Sequence, residues 1–220
     1  MNITEIKQKI ENGAFDKDFS MLYGDVSAAR ARYTAACDSF CNIFSERDNI
    51  RLFSAPGRTE VGGNHPDHQH GCVLAGGVNL DVIAVVAPNN DGKARIKSEG
   101  YDMDTVDICK LEKDESEHGR ASALIRGVLS RFKELGCTLS GFNAYTTSNV
   151  LKGSGLSSSA AFEVLVGNIV NGMFFEAKAD EITVAKIGQY AERESFGKPC
   201  GLLDQMASSL GGFTYADFFD

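Results

Sequence analysis

KGSGLSSSAAFEVLVGNIVNGMF, residues 152–174, is the stretch that decides the architecture. Its first part, Gly153-Ser154-Gly155-Leu156-Ser157-Ser158-Ser159, is almost entirely glycine and serine, and the rest is an apolar run that reads as a helix. Glycines permit unusual backbone angles and close approach, serines add hydroxyl donors, and the amides and dipole of a helix N-terminus attract anions. On its own the segment fits either a phosphate-binding loop or a serine-capped helix after a flexible turn. It is not a Walker loop, because no G-K-[ST] follows, and it lacks the third glycine of the dinucleotide fingerprint.

Working outward, Gly119–Leu135 has helical spacing and stops at Gly136, and Thr138–Thr147 alternates like a strand. Further upstream, the β-branched run Val78–Ala87 meets the turn cluster Pro88–Gly92 and then alternating Lys93–Lys97, which predicts a β-hairpin. Ile50–Ser54 reads as a short strand that ends where Ala55-Pro56-Gly57 opens a loop reaching Gly71. Residues 27–46 place Tyr33, Cys37, Phe40 and Phe44 on one helical face. Downstream, Asp180 caps a helix to about Phe196, Leu202–Leu210 forms a short helix, and Phe213–Asp220 is strand material. That last strand stops without a turn or cap, so the chain is expected to end inside a larger architecture. Hairpins mixed with helices predict an α+β fold, a mixed β-sheet with helices on one face, rather than a doubly wound parallel sheet. Residues 1–48 are expected to be a helical extension packed on a domain spanning 49–220.

A chain of 220 residues can bury roughly 70 to 75% of its unfolded surface. Its 22 Lys+Arg against 30 Asp+Glu give a net charge of −8, which argues against nucleic acid or an anionic membrane as the main partner but leaves room for a local basic pocket. No apolar run nears the ~18 residues of a membrane span and no signal peptide opens the chain, so a cytoplasmic location is expected. The six cysteines show no C-x-x-C pairing and read as small buried residues rather than a disulfide or zinc framework.

Two further segments carry chemistry. PGRTEVGGNHPDHQHG, residues 56–71, gathers Arg58, Asn64, His65, Asp67, His68 and His70 between glycines, a loop able to offer a cation, a carboxylate and several donors to a polar ligand. His65, Asp67, His68 and His70 could alternatively ligate zinc or iron, although adjacent loop ligands seldom complete a shell alone. In PCGLLDQMASSLGG, residues 199–212, Asp204 sits at a loop-to-helix junction, where the helix dipole favours a carboxylate whether or not it has a chemical role.

Taken in order, the three segments resemble the GHMP small-molecule kinases, most closely the galactokinases. Residues 56–71 resemble the galactokinase signature, 152–164 the family's phosphate loop, and 199–212 the segment bearing its catalytic aspartate. The resemblance implies an ATP-dependent kinase that phosphorylates the anomeric hydroxyl of galactose, with ATP and Mg2+ as cofactors. It implies that Arg58 and Asp204 are catalytic, that Asn64, His65, Asp67 and Gly201 meet the sugar, and that Gly153 to Ser159 hold the nucleotide phosphates. Ser159 and Glu192, twelve residues before Asp204, would be the magnesium ligands.

This sequence departs from the family in two respects. Asn64 stands where galactokinases usually carry glutamate, with Pro66 and His68 where threonine and tyrosine are common; asparagine adds a donor and removes a charge, which loosens the sugar assignment. No glycine-rich third motif follows, so a C-terminal domain of the same polypeptide is an expected missing partner. Two other readings stand beside the galactokinase one: a GHMP kinase for another hexose or pentose, and a non-catalytic sugar and ATP sensor.

Overall fold

The computed structural model describes residues 1–63, 71–217 and 219. Three helices, α1 (Ile3–Glu11), α2 (Asp16–Tyr23) and α3 (Val26–Ile43), lead into strands β1 (Arg51–Gly62), β2 (Cys72–Pro88), β3 (Lys93–Ser98) and β4 (Met103–Asp107). Helix α4 (Ala121–Glu134), strand β5 (Phe142–Ser148) and helices α5 (Ser158–Phe174), α6 (Glu181–Tyr190) and α7 (Leu203–Leu210) follow, and β6 (Phe213–Asp217) is last. The sheet runs β1-β2-β5-β3-β4, antiparallel except for β3 against β5, and β6 pairs with the far end of β2 at Cys72–Gly76.

Strand β2 explains itself by alternation. Val82, Ala84 and Val86 point into one core with Leu129, Phe132, Val164 and Ile169 of α4 and α5, while Ile83, Val85 and Ala87 point into a second with Ile6, Cys37 and Phe40 of α1 and α3. An unbroken apolar run is what a strand covered on both faces requires. The domain's own helices cover one face, and the N-terminal helices cover the other. Helix α5 lies between the sheet and α4, α6 and α7, so its apolar residues are buried nearly all round.

Four expectations change. The strand at Ile50 does not stop at Pro56-Gly57 but continues to Gly62. As an edge strand, β1 tolerates proline, and a bulge absorbs the irregularity: Pro56 pairs with Asp81 and Arg58 with Gly77, leaving Gly57 opposite Val78–Leu80. The hairpin expected between β2 and β3 is not formed, because β5 inserts between them; the adjacent antiparallel pair is β3 with β4. Asn89 makes the crossing possible, its backbone N–H bonding Gly141 O at 2.9 Å and its side chain donating to Lys93 O and Asn143 Oδ1. The helix expected over 27–46 ends at Ile43 and is preceded by α1 and α2, and the strand expected from Thr138 begins at Phe142.

The N-terminal helices are tied to the sheet at one polar point. Asp81, 3% exposed, accepts from Tyr23 OH at 2.6 Å, from Ser54 Oγ and from Arg32 Nη1. Burial pushes the Tyr33 phenol, bonded to Tyr23, up to about 12, which keeps it protonated. Removing one partner of a buried ion pair leaves the other charge uncompensated. Asp81→Ala is therefore expected to cost about 3 kcal/mol or more in urea unfolding, whereas Lys7→Ala, which breaks the solvated Lys7–Asp38 pair, should cost less than about 1 kcal/mol. Equal effects would show that the Asp81 network does not anchor the helices.

Candidate functional site

Strand β1 passes beside the turn before α5 closely enough that only glycine fits: a Cβ on Gly57 would stand 2.8 Å from Leu156 O. The next residue, Arg58, donates its backbone N–H to that carbonyl at 3.0 Å. The register of the strand then directs the Arg58 side chain inward, where it is 6% exposed. Its Nε donates to Asp204 Oδ1 at 2.7 Å, Nη2 lies 2.6 Å from the same oxygen, and Nη1 donates to Gly155 O at 2.7 Å. Asp204, in the first turn of α7, accepts from Ser157 Oγ at its other oxygen.

The 153–159 turn owes its shape to left-handed residues. Gly153 and Gly155 both have φ of +79°, and Ser157 has φ of +54°. Ser154 closes the turn on Leu151 O. Ser157 precedes α5 yet does not cap it, because its hydroxyl is committed to Asp204. No side chain caps the helix, so its first amides and dipole face the adjoining cleft. That cleft holds about 480 Å³ and is lined by Arg58, Glu60, Gly153, Gly155, Ser157, Ser158, Ser159, Lys198 and Asp204. A second cavity of about 410 Å³ shares Leu151, Ser158 and Ser159 with it and extends under Val82, Tyr101, Thr146 and Phe162.

Of the residues expected from sequence, Arg58, Gly155, Leu156, Ser157 and Asp204 are in direct contact, and Gly153, Ser158 and Ser159 share their cleft. Gly201 lies in the turn leading into α7. Asn64, His65 and Asp67, with His68 and His70 of the alternative metal reading, lie outside the described residues. Glu192 is behind the cleft wall, in a π-helical turn (Ala191–Phe196) that ends α6. It is 3% exposed, with Oε1 on Lys198 Nζ and Oε2 accepting from Gln205 Nε2, both at 2.9 Å.

Sequence reasoning missed Lys198, Gln205 and Glu163. Gln205, fully buried, also donates to Glu163 Oε2 at 2.9 Å, so one amide bridges two buried carboxylates. A lone glutamate within the apolar helix run AAFEVLV was the available signal for this cluster. Nearby, burial and the Glu192 carboxylate push the Cys200 thiol up to about 12, leaving it unreactive at neutral pH.

Comparison with known proteins agrees with this geometry. The family model for the GHMP kinases N terminal domain matches residues 123–212, and that for the galactokinase galactose-binding signature matches 38–88, together well over half of the chain. The chain belongs to the GHMP kinases. Galactokinase of Bacillus subtilis (strain 168) is 32% identical over 175 residues, 78% of this chain and 44% of its own length. Galactokinase of Lactobacillus helveticus is 36% identical over 174 residues, 77% of this chain and 44% of its own length. The GHMP chain thus spans less than half the length of these curated relatives. Among solved structures, Lactococcus lactis galactokinase complexed with galactose superposes with a TM-score of 0.75 at 26% identity, covering 81% of this chain and 46% of that one. Methanococcus jannaschii mevalonate kinase, at 15% identity and a TM-score of 0.65 over 80% of this chain and 56% of that one, shares the fold. No helix among the described residues is long and apolar enough to cross a membrane.

Burial first, and then the Glu192 carboxylate, raise Glu163 well above its ordinary 4.5. Between that value and its folded one, the native state keeps a proton that the unfolded chain has released, so stability falls as pH rises through this window. Glu163→Gln removes the dependence. The unfolding free energy of the variant relative to wild type is expected to shift in the variant's favour from pH 4.5 upward; a constant difference would show that Glu163 titrates normally.

Proposed function

We propose that this chain supplies the nucleotide-binding and catalytic-aspartate part of a cytoplasmic sugar 1-kinase, which transfers the γ-phosphoryl group of ATP to the anomeric hydroxyl of galactose. The observation that carries the reading is the contact of Arg58, Asp204 and Ser157 at the uncapped N-terminus of α5. Phosphoryl transfer of this kind passes through a loose transition state with charge spread over the phosphoryl oxygens, so it depends on positioning and on placed positive potential.

In this reading the amides at Ser158 and Ser159, with the α5 dipole, hold the polyphosphate. The adjoining 410 Å³ cavity, which shares those serines and is lined by Tyr101, Thr146 and Phe162, takes the base. A bond forms between the anomeric oxygen and the γ-phosphorus while the bond to the bridging oxygen of ADP breaks. Asp204 either accepts the hydroxyl proton or orients the hydroxyl, and Arg58 holds the carboxylate and faces the charge that develops. Asn64, His65, Asp67 and Gly201 are the proposed sugar contacts. Asn64 in place of glutamate is the one feature that favours a second reading, a different hexose or pentose in the same reaction, or a sensor that binds without turning over.

Magnesium fits the donor set. A serine hydroxyl and a carboxylate are the hard oxygen ligands it takes, and one or two protein ligands beside substrate phosphates suffice. Ser159 would hold it from the cleft, whereas the Glu192 carboxylate, with one oxygen on Lys198 and the other on Gln205, would do so only by giving up one of those partners; the ion would neutralise charge on the phosphate oxygens. Among the described residues no group of three or more His, Cys, Asp and Glu could hold a metal ion.

The proposed domain division is 1–48 as extension and 49–220 as the kinase N-terminal domain. The strongly exposed Phe213 and Tyr215 of β6, with Leu74 and Leu210 nearby, form the face on which the C-terminal domain of the same polypeptide would close the cleft.

A coupled assay of ADP release by the full-length protein over a panel of sugars tests the proposal. Galactose should stimulate release strongly, and Asp204→Asn should lower kcat by at least ~100-fold with the sugar KM little changed. Unchanged turnover in the variant would remove Asp204 from the mechanism, and the absence of any sugar-stimulated release would contradict the kinase reading. In this reading the C-terminal domain supplies the other wall of the cleft, so the 220 residues alone should turn over little.

A further inference from the structure

Among the described residues the cleft wall carries two cations, Arg58 and Lys198, and they are placed very differently. Arg58 is buried and already directs Nε, Nη1 and Nη2 at Asp204 and Gly155. Lys198 has a side chain 57% exposed, and one of its ammonium hydrogens goes to Glu192 Oε1 at 2.9 Å. Two further donors are therefore available to a ligand in the cleft.

Lys198 is also held at both ends. Its backbone N–H bonds Glu192 O at 3.0 Å, while its Nζ bonds the carboxylate of the same residue. That carboxylate is 4% exposed, and Gln205, itself clamped to Glu163, fixes its other oxygen. Gly197, just before the lysine, has φ of +83° and packs on the His118 ring, where a Cβ would come within 1.9 Å of Nε2. The loop thus has one backbone course, and the buried carboxylate keeps the ammonium at the cleft instead of letting it swing into solvent.

We infer that Lys198 is a ligand of the nucleotide polyphosphate, a second cation beside Arg58, with Glu192, Gln205 and Glu163 as its mount. The inference rests on the ATP-binding reading above. A lysine ammonium serves phosphate as a compact point charge with several donors, which suits a chain of phosphates whose oxygens lie in changing directions.

The test is calorimetric titration of the protein with ATP and, separately, with adenosine, in EDTA at low salt so that no divalent cation masks the lysine. Lys198→Ala should weaken ATP binding about tenfold, as expected for one charge-assisted contact, and leave adenosine within about twofold. Lys198→Arg should recover most of the ATP affinity. Lys178→Ala, which removes the same charge outside the cleft, should change neither ligand. Unaltered ATP affinity in Lys198→Ala overturns the inference. So does an equal loss of ATP and adenosine, because that marks a collapsed loop rather than a missing phosphate contact. Wild-type protein that binds neither ligand sinks the kinase reading itself, and this inference with it.

Discussion

An arginine buried to 6% exposure has to be given partners, and the way Arg58 finds them organises the site. Asp204 comes from 146 residues downstream and Gly155 from 97. Once those three meet, β1, the turn before α5 and the first turn of α7 are locked to one another. The absence of a side chain at Gly57 lets the strand and the turn approach, and Ser157 turns its hydroxyl from its own helix to Asp204. An ion pair of this sort is weak evidence for stability, because desolvation offsets much of the attraction. Its role is to fix geometry at the mouth of a helix dipole.

The scaffold behind the site follows from the two-sided burial of β2. With α1–α3 on one face and α4–α7 on the other, the sheet cannot shift its register by a residue without exchanging its two apolar sets. Helix α5, enclosed by that sheet and by three helices, therefore presents its N-terminus at a fixed point. Behind the cleft, the Glu163–Gln205–Glu192–Lys198 cluster is a second polar assembly at the same level. Through Gln205 it links the interior of α5 to the residue next to Asp204.

The chemistry-bearing segments were legible because each is local: glycine and serine before an apolar run, an arginine after Pro-Gly, a carboxylate at a helix start. What was misread depends on partners remote in sequence. Pro56-Gly57 looks like the end of a strand unless it is known that β1 is an edge strand with a bulge there. The run from Pro88 to Gly92 looks like a hairpin turn unless β5, some fifty residues later, is known to insert. Lys198 carries no motif, and its meaning comes only from Glu192 on the preceding turn and from the cleft it faces. Helices α1 and α2 are short and amphipathic, and their burial depends on the far face of the sheet, which the sequence around them does not announce.

A double-mutant cycle on Arg58 and Asp204 tests the convergence most directly. Arg58→Met, Asp204→Asn and the pair together would be compared by urea unfolding. Direct contact predicts that the double variant is less destabilised than the sum of the single ones, with a coupling of about 1 to 3 kcal/mol. Additivity to within about 0.5 kcal/mol would mean that the two side chains do not meet, and the cleft as described would not exist.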